Sequence, residues 1–303
     1  MTLKDKIEFI LLSFMARWMQ SLSADTVVKI GRFLGRVVYT FIPIRKSVVL
    51  QNLKLTFPHL EKKERRLIAR GTFINFGQTF FEFMRTPNRS HEELRRRVVL
   101  HNTRVLKESY ESGRGTLLMS GHFGNWEILA CAVSMLGFPL VVIARKQRNP
   151  LVDAMINDYR RAGGIETTPL GMGVRAFLRA LRSNKFIAML ADQDAHSEGV
   201  FIDFLNRPSA TAPGPALLAL KTGAEIIFCT SVLRKDGKYE VFFERIETKD
   251  VSGTTKENIR LLTQRHATKL EEKIRHWPDH WFWMHRRWKT SPPSEESSPS
   301  SPQ

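Results

Sequence analysis

Thr116-Leu117-Leu118-Met119-Ser120-Gly121-His122-Phe123-Gly124-Asn125-Trp126-Glu127 packs an apolar run, a glycine-flanked histidine and a helix start into one stretch. The first five residues predict a buried β-strand. Gly121 and Gly124 permit a sharp turn and close approach of a ligand to the backbone. Asn125 is a natural N-cap, which places Glu127 in the first turn of a helix reaching about residue 136. A strand that ends in a histidine-bearing turn and continues as a helix is the repeating unit of an α/β sheet.

The same alternation continues downstream. Short β-rich runs at Pro139–Ala144, Lys185–Ala191 and Glu225–Leu233 are separated by helical stretches at about 150–162, 173–183 and 213–222. After the turn Lys235-Asp236-Gly237-Lys238, residues Tyr239–Ile246 read as the returning strand of an antiparallel hairpin. A last helix covers about 255–276. The expected fold is therefore α/β, a mixed and largely parallel central sheet flanked by helices, over residues 45–289.

Two segments precede it, over residues 1–44. Ile30, Phe33, Leu34, Val37, Val38 and Phe41 recur at the spacing of one helical face over 27–42, with Lys29, Arg32 and Arg36 elsewhere on the helix. Ile7 to Met19 is apolar on nearly all sides. Together they predict helices lying in a lipid headgroup region, although packing against the chain's own domain is the alternative for 27–42. The longest uncharged run here, Phe9 to Ala16, is too short to span a bilayer and lacks a small-residue cleavage site after it. The expectation is a protein held on the cytoplasmic side. Residues 290–303 contain six Ser and four Pro and are expected to be a disordered tail.

The 303 residues carry 47 Lys+Arg against 30 Asp+Glu, a net charge of +17. Such a balance implies acidic partners. No compact nucleic-acid motif accompanies it, so specific nucleic-acid binding is not expected. Apolar content of 42% excludes global disorder. Cys131 and Cys229 cannot build a disulfide framework or a cysteine zinc site, and point to a reducing compartment.

His-x4-Glu occurs three times, and context separates the copies. His59/Glu64 opens a charged, solvated run, and His266/Glu271 lies within a helix, where five residues rotate the side chains about 140° apart. Only His122/Glu127 follows a buried strand, so its turn can fold Glu127 back onto the imidazole. In such a dyad His122 takes a proton from a hydroxyl while Glu127 fixes the tautomer. No Gly-x-Ser-x-Gly elbow is present, so the hydroxyl belongs to the acceptor substrate. Backbone N–H groups near Gly124 and Asn125, or an arginine, would stabilise the oxyanion.

Gly121 to Glu127 resembles the signature of the bacterial lipid A biosynthesis acyltransferases, within the wider lysophospholipid acyltransferase superfamily. Further blocks match in order: Ala144-Arg145 with Asn149-Pro150, then Arg160, then Asp192-Gln193-Asp194 with Gly199-Val200-Phe201. Pro213-Gly214-Pro215-Ala216 and Trp281 to Lys289 complete the likeness, which runs from about residue 5 to 290. It implies transfer of a fatty acyl chain from acyl carrier protein to a hydroxyl of a lipid A precursor, on the cytoplasmic face of the inner membrane among anionic lipids. Neither a cofactor nor a metal is implied. Enzymes acting on phosphatidylinositol mannosides share the histidine motif, and the absence of a Phe-Pro-Glu-Gly block argues against simple phospholipid synthesis.

Within this frame Arg145, Arg160, Asp192 and Asp194 are expected to contact substrate, since all but Arg160 close predicted strands. Asp192 and Asp194 alternate, so one is expected to meet a hydroxyl or an arginine and the other to be structural. A basic membrane-binding protein without activity and a thioesterase using the same dyad on water are the competing readings.

Overall fold

A computed structural model describes residues 2–170 and 174–292. The expectation for the Ser- and Pro-rich tail falls almost wholly outside them. Four helices lead: α1 (Leu3–Ser21), α2 (Ala24–Phe41), α3 (Lys46–Thr56) and α4 (Lys62–Met84). Then α5 (His91–Arg97), β1 (Val98–His101) and α6 (Arg104–Glu111) reach the deciding stretch, β2 (Thr116–Ser120) and α7 (Trp126–Met135). The alternation continues with β3 (Leu140–Ala144), α8 (Pro150–Ala162), β4 (Glu166–Pro169), α9 (Val174–Arg182) and β5 (Phe186–Leu190). A ribbon of β6 (Val200–Asp203) and β7 (Pro208–Thr211) follows. The chain closes with α10 (Gly214–Thr222), β8 (Glu225–Leu233), β9 (Tyr239–Ile246) and α11 (Lys256–His276).

Seven strands form one sheet in the order β1-β9-β8-β2-β5-β3-β4, parallel throughout except for the β8–β9 hairpin. The strands at its centre read as continuous apolar runs because both faces are covered: every residue of β2 is buried. Next to the edge strand β1, β9 alternates, burying Tyr239, Val241, Phe243 and Ile246. The expected sheet is thus present. Three strand features escaped the reading: β1, a four-residue strand behind an arginine-rich helix; β4, half-exposed at the edge; and the β6–β7 ribbon. Each is too short to show a period.

Residues 27–41 are helical, and the apolar face read from the sequence is packed only in part: Ile30, Leu34 and Val38 meet the core from half-buried positions. Val27, Gly31 and Gly35 form the buried seam of α2 against α4, while Phe33 and Phe41 stand 59% and 77% exposed. The glycines decide this geometry. A Cβ at Gly35 would lie 2.4 Å from the carbonyl oxygen of Phe73, and one at Gly31 2.8 Å from the Cα of Gln78. With no side chain between them, the two helices approach backbone to backbone.

The seam predicts a contrast between two glycines. Gly35→Val forces α2 off α4 and should cost about 1–3 kcal/mol, as overpacking does. Gly214→Ala, where a Cβ meets nothing within 4 Å, should be neutral or mildly stabilising. Denaturant midpoints of the two variants against the parent check both.

Candidate active site

The parallel register of the sheet centre builds the site. Ser120 of β2 is level with Leu190 of β5. Two residues on, each chain leaves the sheet at its carboxyl edge, bringing His122 level with Asp192. Asp192 Oδ1 lies 2.8 Å from His122 Nδ1, and its Oδ2 accepts the His122 backbone N–H at 2.8 Å. The Trp281 indole N–H donates to the same Oδ2, also at 2.8 Å. Burial opposes charge on this carboxylate, but the imidazole and the donors outweigh it and hold its pKa at about 2. An ionised Asp192 requires His122 to present N–H at Nδ1, so Nε2 is the unprotonated atom at neutral charge. Burial pushes the imidazole pKa down; the Asp192 charge and hydrogen bond, with a smaller contribution from Glu127, more than offset this and raise it.

The expected His122–Glu127 dyad is therefore corrected. Glu127 sits where predicted, in the first turn of α7, but its carboxylate faces Arg160 of α8, which binds it through two nitrogens at 2.7 and 3.2 Å. Both side chains are largely buried. Glu127 acts on the imidazole through space, and Arg160 is occupied by Glu127. Five residues of chain bring Glu127 near the loop; they do not turn a helix-borne carboxylate onto Nδ1 when a neighbouring strand delivers another.

Gly124 and Asn125 are corrected too. The Gly124 N–H donates to the carbonyl of His280 at 2.8 Å and the Asn125 N–H to Ser231 Oγ at 2.9 Å, so neither remains for an oxyanion. Gly124 is needed for backbone shape: its φ is +59°, and a Cβ would sit 1.8 Å from the Ser231 carbonyl oxygen. Asn125 is the N-cap it was predicted to be, accepting from Ile128 N at 3.0 Å. Its Nδ2 donates to buried Glu82 at 3.1 Å, which also takes the Tyr239 hydroxyl and Arg97.

Asp194 lies apart from the dyad. Its backbone N–H donates to His285 Nε2 at 3.0 Å and its carboxylate accepts from Thr290 at 2.9 Å. Arg145 follows β3, two strands from β2 and thus roughly 10 Å across the sheet. It is exposed, with no side-chain partner among the described residues. The residue that sequence reasoning overlooked is Gln193, whose amide nitrogen is 3.5 Å from His122 Nε2. Only its place between two aspartates after a strand could have marked it.

The closing segment completes the site. Phe282 N donates to the His122 carbonyl at 2.9 Å, and Phe123 and Trp281 form a β-bridge. Phe76, Trp126 and Phe282, all partly exposed, surround the imidazole; the Trp126 ring stands edge-on at 5.2 Å and Phe282 at 6.2 Å. Arg287 is buried and spends its guanidinium on the Ala210 carbonyl at 2.5 Å and on Thr211. Among the described residues no cluster of three His, Cys, Asp or Glu side chains is placed to hold a metal ion.

A base whose Nε2 meets only the exposed Gln193 amide, backed by a carboxylate and set among aromatic rings, is a device for activating a hydroxyl beside an apolar chain. Residues 2–290 match the family described as bacterial lipid A biosynthesis acyltransferase. The chain belongs to that family. It is 24% identical over 286 residues to a lipid A biosynthesis palmitoleoyltransferase of Escherichia coli (strain K12), covering 92% of this chain and 90% of the relative. A lauroyltransferase of the same organism is 24% identical over 270 residues, covering 88% and 86%. A phosphatidylinositol mannoside acyltransferase of Mycobacterium tuberculosis (strain CDC 1551 / Oshkosh) is 25% identical over 222 residues, covering 71% and 68%.

Glu127 and Arg160 should behave as a coupled pair. Arg160→Gln leaves a buried carboxylate without its partner and should destabilise by about 3 kcal/mol. The double variant with Glu127→Gln should recover much of that. A double-mutant cycle on unfolding free energy measures the coupling; additive losses would show the pair to be energetically idle.

Proposed function

We propose that this family member transfers a fatty acyl chain from an acyl carrier protein thioester to a hydroxyl of a lipid A precursor, with His122 as general base and Asp192 as its orienting carboxylate. The observation that carries this reading is the hydrogen bond between His122 Nδ1 and Asp192 Oδ1, which leaves Nε2 to take the hydroxyl proton. The acceptor oxygen then attacks the thioester carbonyl; the C–S bond breaks and the thiolate leaves with the proton carried by His122. Gln193, beside Nε2, offers its amide N–H groups to the developing oxyanion. Phe76, Trp126 and Phe282 provide the apolar wall on which the acyl chain lies. Glu127 is a positioning residue, held by Arg160 and adding negative potential behind the imidazole.

The surroundings support the assignment. Leu3, Ile7, Ile10, Leu11, Phe14 and Trp18 recur on one face of α1, and each is at least half exposed. The opposite face packs through Ala16 and Met19, and Asn149 at the start of α8 donates to the Asp5 carbonyl at 2.9 Å. An anchored helix with an outward apolar face and Lys4, Lys6 and Arg17 exposed along it suits an anionic leaflet. Among the described residues no helix is long and apolar enough to cross a membrane. The outward apolar face of α1 supports contact in the headgroup plane, which in this reading is the cytoplasmic face of the inner membrane. A net charge of +17 suits an acidic carrier protein as donor. The relatives divide between lipid A and phosphatidylinositol mannoside acceptors, so the mannoside is the second acceptor to test.

Membranes holding the protein, given acyl carrier protein thioesters and a lipid A precursor, should yield a product heavier by one acyl group in mass spectrometry. His122→Ala and Asp192→Asn should each lower kcat/KM between about 10²- and 10⁴-fold. The rate should rise with pH as His122 loses its proton, with a midpoint above that of an ordinary imidazole, because the Asp192 charge and hydrogen bond outweigh burial. Residual activity of Asp192→Asn should titrate at lower pH, because the charge that raises the imidazole pKa is gone. Free fatty acid as the sole product would instead identify a thioesterase, and an unchanged rate in His122→Ala would remove the base.

A further inference from the structure

Glu82 lies on α4 behind the histidine loop, 2% exposed, and takes no part in the proton transfer. Its Oε2 collects three donors: the Asn125 amide at 3.1 Å, the Gln78 amide at 3.2 Å and the Tyr239 hydroxyl. Arg97, at the end of α5, stands 3.1 Å from Oε1. Burial and the Glu82 charge push the Tyr239 phenol well up, so it remains a donor. An ion pair removed from water adds little stability over apolar packing of the same shape. Stability alone therefore does not account for a charged cluster here.

Asn125 supplies a second reason. A capping asparagine at a helix on the surface offers Oδ1 to the helix and leaves Nδ2 in water. Here Asn125 is 1% exposed, and its Nδ2 must find an acceptor or go unpaired at a cost. A carboxylate paired with an arginine only accepts. Facing Glu82, the Asn125 side chain can present only Nδ2, which turns Oδ1 to the Ile128 N–H at 3.0 Å. With the amide reversed, two oxygens would meet at Glu82 and two N–H groups at the helix start. The sense of this one hydrogen bond thus fixes how α7 begins. Of the next two residues, Trp126 stands against the imidazole and Glu127 acts on it through space. The same side of α4 holds the rest of the loop: Thr79 donates to the Gly124 carbonyl at 3.3 Å, and Phe76 stacks on Trp126. Phe76, Thr79 and Glu82 are spaced three residues apart and so neighbour one another along the helix.

We propose that Glu82 is a positioning residue for acyl transfer: by accepting from Asn125 it sets the sense of the α7 N-cap and holds the His122 loop in its working shape. The effect on transfer rests on the acyltransferase reading above; the effect on the loop does not.

Exchanging the two polar groups in the full chain tests this. Asn125→Asp keeps a good N-cap but sets a second carboxylate against Glu82. Asn125→Asp/Glu82→Gln reverses the hydrogen bond, with the amide now donating from position 82, and keeps the net charge. The Hε1 resonance of His122, assigned by its loss in His122→Ala, reads the nearby Trp126 ring without turnover. Asn125→Asp should move that resonance and lower kcat by about ten- to a hundredfold, with KM for donor and acceptor unchanged. The double variant should recover most of both. Assays are run where circular dichroism shows each variant folded. Asn125→Ser caps without reaching Glu82 and adds no charge, so it serves where Asn125→Asp does not fold, with the same loss of kcat expected. Parent-like kcat and resonance in Asn125→Asp or Asn125→Ser would show that the cap alone matters and overturn the proposal. So would a change confined to KM, or a double variant no better than Asn125→Asp. A resonance that moves and returns in a protein transferring no acyl group would support the positioning while sinking the acyltransferase reading.

Discussion

The Asp192 carboxylate joins three pieces of chain that are far apart in sequence. It takes the backbone N–H and the ring Nδ1 of the loop after β2, and the indole N–H of Trp281 in the closing segment. A buried anion is tolerated only when donors converge on it, and these donors are the parts of the site that must be held together. The closing segment then reinforces the loop through the Gly124 N–H and the His122 carbonyl. Loop shape, imidazole tautomer and the aromatic wall around the ring follow from that single ionised group.

Much of the fold was legible in local pattern. The runs at Thr116–Ser120, Glu225–Leu233 and Tyr239–Ile246 are strands with the expected limits, and the last two form the expected hairpin. They could be read because apolar content and turn residues agree at each end. The hydrogen-bonding partner of the His122 ring was not legible in the same way. Spacing along the chain favoured Glu127, five residues away, whereas the sheet order sets β5 beside β2 and places Asp192 seventy positions downstream at the same level. Strand adjacency is a tertiary fact, and nothing in the alternation of strands and helices encodes it. The reading of Gly124 and Asn125 failed for a related reason: the acceptors that occupy their N–H groups, the His280 carbonyl and Ser231 Oγ, come from other segments.

The N-terminal helices show the same limit at larger scale. Periodicity identified the apolar residues of α2 but could not tell which are covered, because its packed seam runs through glycines that carry no hydrophobic signal. The consequence is functional as well as structural. Close packing of α2 on α4 fixes the position of Phe76 on α4, which stacks with Trp126 and Phe282 around the imidazole. The outward apolar face of α1 and the aromatic cleft thus belong to one connected frame.

The central claim is that Asp192, and not Glu127, sets the state of His122. Ring nitrogen chemical shifts of His122 in selectively 15N-labelled protein, taken above the imidazole pKa, test it most directly. The expected result is a protonated Nδ1 and a bare Nε2 in the parent chain, retained in Glu127→Gln and lost to a mixture of tautomers in Asp192→Asn. A proton on Nε2 in the parent, or a tautomer that responds to Glu127→Gln but not to Asp192→Asn, would contradict it.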